Sequence, residues 1–250
     1  MSPAAIEARG LGKDYGSIRA LDRLDLEVQD AEFFGFLGPN GAGKTTTVHL
    51  LATLVQPSRG AARVAGHDVV RASLRVREKI GLVFQDTTLD RDLTVEENLR
   101  FAARLWDLPG RVGGPRIERL LGTFGLLERR RDPVRTLSGG MRRALDVARG
   151  ILHEPRVLFL DEPTAGLDPR ARRSLWELIL ELRRSLGLTV FLTTHYVEEA
   201  EPCDRVAVLD RGRLVALGSP AELKRATGVR SLEEVFLART GHPLAEPGPG

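Results

Sequence analysis

The 250-residue chain contains one cysteine, Cys203, two tryptophans and two tyrosines. A single cysteine excludes an internal disulfide, agrees with a reducing compartment, and reads as a small buried hydrophobe. No stretch approaches the roughly 18 uninterrupted apolar residues of a membrane-spanning helix, and Met1 to Gly10 lack the apolar segment of a signal peptide. The expectation is a soluble, cytosolic chain. Strong charge of one sign is also missing: the formal net charge is +3 and the isoelectric point near 9.4. The arginine clusters (Arg129 to Arg131, Arg142 and Arg143, Arg172 and Arg173, Arg183 and Arg184) are spread through helical segments. They read as solvated faces, and no nucleic-acid partner is expected. What is present is ample hydrophobic content, 42%, enough for one large domain or two small lobes with a real core, which excludes a disordered protein.

Against that background, Gly38-Pro39-Asn40-Gly41-Ala42-Gly43-Lys44-Thr45-Thr46 stands out. It is a complete G-x-x-x-x-G-K-[ST] phosphate loop, preceded by the apolar run Phe33 to Leu37 and followed by a helix-like stretch, Thr46 to Leu54. Glycines let consecutive backbone N–H groups curl around a phosphate chain, the helix N-terminus adds positive potential, and Lys44 reaches the outer phosphates. A nucleoside triphosphate is the expected ligand.

The segments around this loop alternate in a readable order. Ile6 and Ala8, then Leu24, Leu26 and Val28, fall at period two and predict an antiparallel β region at the start. Pro57-Ser58-Arg59-Gly60 reads as a turn, Ala61 to Val64 as a short strand and Ile80 to Phe84 as a buried one. Thr94-Val95-Glu96-Glu97 fits a capping box opening a helix to about Trp106. The Gly/Pro-rich Pro109 to Pro115 reads as a link before a second helix that carries Ile117, Leu120, Leu121 and Phe124 on one face. Strand Val157 to Leu160, helix Arg170 to Leu186 and strand Leu188 to Leu192 then resume an alternation that implies a parallel sheet. Val206 to Leu209 and Leu214 to Leu217 read as a hairpin. The tail from His242 to Gly250, rich in Pro and Gly, reads as disordered. The fold class is therefore α/β: a phosphate-loop core with a mainly parallel sheet, an N-terminal antiparallel β subdomain and an inserted α-helical subdomain at about 86–150. Residues 4–220 form the main domain, and 221–250 a C-terminal helix and flexible tail.

Val157-Leu158-Phe159-Leu160-Asp161 is an apolar strand ending in a carboxylate. In a phosphate-loop protein that places Asp161 beside the loop, with Mg2+ as its expected partner, held jointly with the Thr45 hydroxyl. Glu162 follows directly. Because successive strand residues point to opposite sides, Glu162 can face an attacking water while Asp161 faces the metal. Leu137-Ser138-Gly139-Gly140-Met141 opens a helix through Leu152, with Ser138 as N-cap and two glycines exposing backbone N–H groups to an anion.

Taken in order, Tyr15, Gly38 to Thr46, Gln85, Ser138 to Gly140, Asp161-Glu162, Ala165-Gly166-Leu167-Asp168 and His195 resemble the nucleotide-binding domain of the ATP-binding cassette family. The resemblance covers roughly residues 4 to 220. It implies that Tyr15 stacks on adenine, that Gln85 senses Mg2+ and the attacking water, and that Leu137 to Gly140 is the signature motif. That motif caps the triphosphate bound by a second subunit, so that two copies sandwich two ATP molecules head to tail. It further implies that Asp168 connects the two sites and that His195 sits at the γ-phosphate. Met141 departs from the glutamine common at the fifth signature position, with modest consequences expected, since the phosphate contacts come mainly from the serine and glycines. Catalysis would then involve Glu162, His195 and Gln85, with Thr45, Gln85 and Asp161 at the metal. Complete motifs favour a homodimer.

The insert lacks the long coiled coils or zinc modules of DNA-repair members, and the chain holds one cassette, unlike translation-associated members. Gln85 to Leu105 and the next helix resemble the lobe that docks on cytoplasmic helices of a membrane permease, which implies a peripheral location on the inner membrane face. Thr194 to Glu201 and the stretch Leu232 to Leu237 through Thr240-Gly241-His242 resemble the drug-exporter group typified by the daunorubicin-resistance ATP-binding subunit. Export of a hydrophobic drug, lipid or polyketide is implied. The alternatives are a soluble ATPase similar to the iron–sulfur assembly cassette, and an ATP-gated dimerisation switch, against which the intact Glu162 and His195 argue.

Overall fold

A computed structural model of the chain describes residues 4–244. Ten strands and nine α-helices occur in the described residues, in the order β1 (Ala4–Tyr15), β2 (Ile18–Gln29), β3 (Phe33–Leu37), α1 (Lys44–Leu51), β4 (Arg59–Val64), β5 (His67–Asp68), α2 (Ser73–Arg77), β6 (Ile80–Val83), α3 (Val95–Leu105), α4 (Gly110–Thr123), α5 (Gly139–Ile151), β7 (Val157–Asp161), α6 (Pro169–Leu186), β8 (Thr189–Thr194), α7 (Val197–Ala200), β9 (Arg205–Asp210), β10 (Arg213–Gly218), α8 (Pro220–Thr227) and α9 (Leu232–Thr240). β2, β1, β4 and β5 make an antiparallel sheet, and a six-stranded sheet runs β10-β9-β3-β8-β7-β6. Within the second sheet every pairing is parallel except the β9–β10 hairpin. Arg211 and Gly212 close that hairpin with φ of 46° and 76°, the left-handed pair that matches strand twist.

β3 and β7 are buried at every position, as a sheet covered on both faces requires. Their side chains divide by the pleat. Phe34, Phe36, Phe159 and Phe191 face the antiparallel sheet and α1, with ring centroids 5.2 to 5.5 Å apart where they meet. Phe33, Leu37, Leu158, Leu160, Val190 and Leu192 face the opposite way, into a core shared with α3 to α6 and α9. Five-residue strands fixed on both faces leave little play at their carboxyl ends, which is where the phosphate loop, Asp161 and Thr194 emerge.

The helices keep several expectations and overturn others. Thr94 caps α3 in a capping box: its hydroxyl accepts from the Glu97 amide at 3.2 Å, and Glu97 accepts from the Thr94 amide at 2.8 Å. α1 begins at Lys44 and ends at Leu51, so the helix starts inside the phosphate loop rather than after it. The supposed link Pro109 to Pro115 is the opening of α4, with Pro115 inside the helix. Pro115 lies in the second turn, where it forfeits the bond to the Arg111 carbonyl, yet a Cβ on Gly113 would already touch the Ala103 side chain at 3.4 Å, so packing against α3 outweighs the Gly/Pro composition. Arg143, read as part of a solvated face, is only 6% exposed. Cys203 is buried as expected, and burial drives its thiol pKa far up. Of the tail read as disordered, His242 packs on Phe236 and lies 3.3 Å from the Asp210 carboxylate, and Leu244 is buried; 245–250 lie outside the described residues.

Candidate functional site at the carboxyl ends of the parallel strands

The phosphate loop leaves β3 through Gly38, whose amide donates to the Thr194 carbonyl at 3.2 Å. Its shape depends on missing side chains. A Cβ at Gly38 would sit 2.5 Å from the Leu209 carbonyl oxygen, and one at Gly43, where φ is 100°, 2.5 Å from that of Ala20. Glycine alone satisfies both the conformation and the close approach.

Lys44 is 4% exposed. Its ammonium donates to the carbonyls of Gly38 at 2.8 Å and Pro39 at 3.0 Å, and lies 3.0 Å from Glu162 Oε1. Thr45, the next residue, points its hydroxyl to Asp161 Oδ1 at 3.3 Å. The same Asp161 oxygen accepts from the Thr193 hydroxyl. Across the site His195 Nδ1 lies 3.2 Å from Glu162 Oε2, close but not aligned as a hydrogen bond, and among the described residues it has no other hydrogen-bond partner. One buried carboxylate thus stands between an ammonium and an imidazole, while its neighbour faces two threonine hydroxyls.

The two carboxylates diverge as expected, but for a different reason. Asp161 is the last residue of β7, and Glu162 has already left the strand in a left-handed conformation, φ 46°. The backbone turn, rather than pleat alternation, separates them. For a non-glycine residue this conformation costs on the order of 1–3 kcal/mol and needs surrounding support. The Glu162 amide donates to the Thr193 carbonyl and hydroxyl, each at 3.1 Å, and its carbonyl accepts from the Ala165 amide at 3.2 Å.

Other expected residues lie further out. Ser138 caps α5 by accepting from the Met141 amide at 3.2 Å. Ser138, Gly140 and Met141 line a groove with Phe124, Gly125 and Asp168, whereas Pro39 to Ala42 and His195 line a different cleft. The structure therefore does not bring Ser138 to the phosphate loop of its own chain. Asp168 spends Oδ1 on capping α6, accepting from the amides of Arg170 and Ala171 at 3.0 and 2.9 Å. Tyr15 ends β1, 45% exposed, with the Lys13 ammonium 5.0 Å from its ring centroid. Gln85 is exposed on the loop after β6; among the described residues its side chain has no hydrogen bond to either carboxylate, and its carbonyl accepts from Arg143.

Sequence reading missed three supports. Thr193 serves both Asp161 and Glu162. Glu199, 1% exposed, accepts from the hydroxyls of Thr164 and Thr194, tying the loop after Glu162 to the strand end before His195. Arg143 reaches backbone carbonyls across the site. Two threonines at a strand end before a histidine were a usable signal for the first. An arginine within a basic run carries none.

The ABC transporter family profile matches residues 21–165. A daunorubicin resistance ATP-binding protein of Streptomyces coeruleorubidus is 48% identical over 94% of this chain and 75% of its own length. A Nod factor export ATP-binding protein of Ralstonia nicotianae is 45% identical over 89% of this chain and 69% of its own. Among solved structures, cbiO1 from Clostridium perfringens, part of the ABC transporter complex cbiONQ, superposes with a TM-score of 0.83 at 28% identity, covering 95% of this chain and 96% of that one. By sequence and by fold, the chain belongs to the ABC transporter family, as one of its ATP-hydrolysing, ATP-binding subunits.

Proposed function

We propose that this subunit hydrolyses ATP as a head-to-tail homodimer to power a separately encoded membrane permease that exports a hydrophobic drug, lipid or polyketide. The carrying observation is the Glu162 carboxylate held 3.0 Å from Lys44 and 3.2 Å from His195 at the mouth of the phosphate loop. A carboxylate so placed orients or deprotonates the water attacking the γ-phosphate in line, while Lys44 offsets charge as it develops on the phosphoryl oxygens and His195 contacts the γ-phosphate. Thr45 and Asp161 present two hard oxygen donors side by side, a pair suited to Mg2+, which takes one or two protein ligands and completes its shell with phosphate and water. When bound, that ion would neutralise charge between the phosphates. Tyr15 serves the adenine and Gln85 the metal and water.

The dimer reading draws on the separation of Ser138 from its own phosphate loop: the Ser138-Gly139-Gly140 turn serves the ATP of the second copy, and Asp168 lies between the two sites. Residues 4–220 act as the ATP-binding domain, with the helical insert of about 86–150 docking on the permease at the cytoplasmic membrane face. Exposed Phe101 and Leu105 on α3, 54% and 70% accessible, suit such docking, and among the described residues no helix is long and apolar enough to cross a membrane. The export class follows the names of the relatives.

The test is affinity capture of tagged Glu162→Gln chain from detergent-solubilised native membranes, with and without ATP. Recovery of one integral-membrane protein supports the permease reading and supplies the subunit that sets the cargo. Recovery of soluble proteins alone overturns it in favour of an assembly-machine ATPase.

A further inference from the structure

Arg143 lies on α5, one turn beyond the Ser138 cap, 6% exposed. Its guanidinium donates from Nη1 to the Phe84 carbonyl at 2.5 Å and from Nη2 to the Gln85 carbonyl at 2.6 Å, with Nη2 3.5 Å from the Glu162 carbonyl. Three backbone segments thus meet one planar fork: the helix that carries the Ser138 turn, the loop that carries Gln85, and the strained residue Glu162. Burial pulls the guanidinium's pKa down and the carboxylates of Asp146, Asp86 and Asp161 push it up. Asp146 lies 3.9 Å away, beyond hydrogen-bond reach. Burying a cation without an aligned carboxylate partner carries a desolvation cost and is no source of stability by itself. Two directed bonds to the backbone of a functional loop are what it does supply.

We propose that Arg143 is a positioning residue for ATP hydrolysis, holding the Gln85 loop and the Glu162 backbone in register with the helix that bears the Ser138 turn. This rests on the roles assigned above to Gln85 and Glu162. Lysine does not replace it, because a rotatable ammonium lacks the planar fork whose two parallel N–H groups fix both bond directions at once.

The experiment is a double-mutant cycle on steady-state ATP turnover with Arg143→Lys, Gln85→Ala and the pair. Nucleotide-binding stoichiometry normalises for folded chain, and thermal unfolding is run in parallel. Arg143→Lys is expected to lower kcat by about 10- to 100-fold, the scale of a small misplacement of reacting groups, with KM for ATP within about twofold. In the Gln85→Ala background it should cost less than about threefold more, because both changes remove the same alignment. A role in stability alone gives losses that multiply. Multiplying losses, or turnover of Arg143→Lys within about twofold of the parent, overturn the proposal. If Arg143→Lys does not fold, Arg143→Gln, which keeps one donor to one carbonyl, is read against the same outcomes. Full turnover in both Gln85→Ala and Glu162→Gln would instead remove the site assignment beneath it.

Discussion

Two glycine-flanked helix N-termini in this chain look alike in sequence and differ in what surrounds them. The phosphate loop opens α1 among charged groups: buried Lys44 contacts Glu162, Thr45 contacts Asp161, and His195 closes the far side. The Ser138 turn opens α5 onto a groove bounded by Phe124, Gly125 and Met141. Its amides and hydroxyl can bind an anion, yet Glu162 and Lys44 lie elsewhere. Within one chain the two helix ends line separate clefts. Under the proposed head-to-tail dimer a second copy brings the missing half, so that assembly itself becomes the switch.

The largest expected effect breaks the loaded half. Glu162→Gln should keep ATP binding and ATP-dependent dimerisation while turnover falls at least about 100-fold, the range of a lost general base; near-normal phosphate release would remove Glu162 from its role. Ser138→Arg breaks the other half: it should leave ATP binding by the isolated chain intact and abolish turnover. Mixing the two inactive variants sharpens the comparison. Heterodimers then hold one site with an intact Glu162 from one chain and an intact Ser138 from the other, and phosphate release should reappear. If both helix ends served the same chain, the mixture would stay inactive.

Smaller effects separate support from chemistry. Glu199→Ala strands the buried hydroxyls of Thr164 and Thr194, at about 1–3 kcal/mol for each group left unsatisfied. Urea unfolding should show that loss, and turnover should fall with it, because both threonines border the Glu162–His195 region. Thr94→Ala removes the α3 cap and should cost about 1 kcal/mol. Its ATP turnover should match the parent, since α3 contributes nothing to the phosphate cleft; an altered KM for ATP would contradict that.

What was legible from sequence follows from what is local. The phosphate loop, the capping box at Thr94 and the hairpin at Arg211-Gly212 are each specified by neighbours in the chain, and period-two and apolar runs placed the strands of both sheets except the two-residue β5. The ordering Asp161-Glu162 was visible, but the left-handed turn that separates them depends on Thr193, a residue on another strand. Arg143 and Glu199 were invisible for the same reason: their meaning comes from segments distant in sequence that the parallel sheet brings together. The start of α4 was misread because Gly and Pro signal a link locally, whereas close packing of Gly113 on Ala103 is a tertiary fact.

The smallest effect concerns the far side of the insert. Glu96 on α3 accepts from Arg130 Nε at 2.9 Å and from Arg100 Nε at 2.9 Å, and these bonds, Arg130 first, lower its pKa from 4.5 to about 2. A carboxylate depressed in the folded state stabilises the fold above its unfolded pKa and loses that contribution as pH falls through the folded value. The parent should therefore exceed Glu96→Gln in unfolding temperature at neutral pH, with the gap narrowing from about pH 4.5 and gone below about pH 2. Salt should narrow it too, because the paired arginines are partly exposed and such charges are screened. ATP turnover at neutral pH should be unchanged. A gap that holds constant through the acid range would mean that Glu96 acts by packing, and the charged cluster on this face would then have no part in holding α3 to the segment around Arg130.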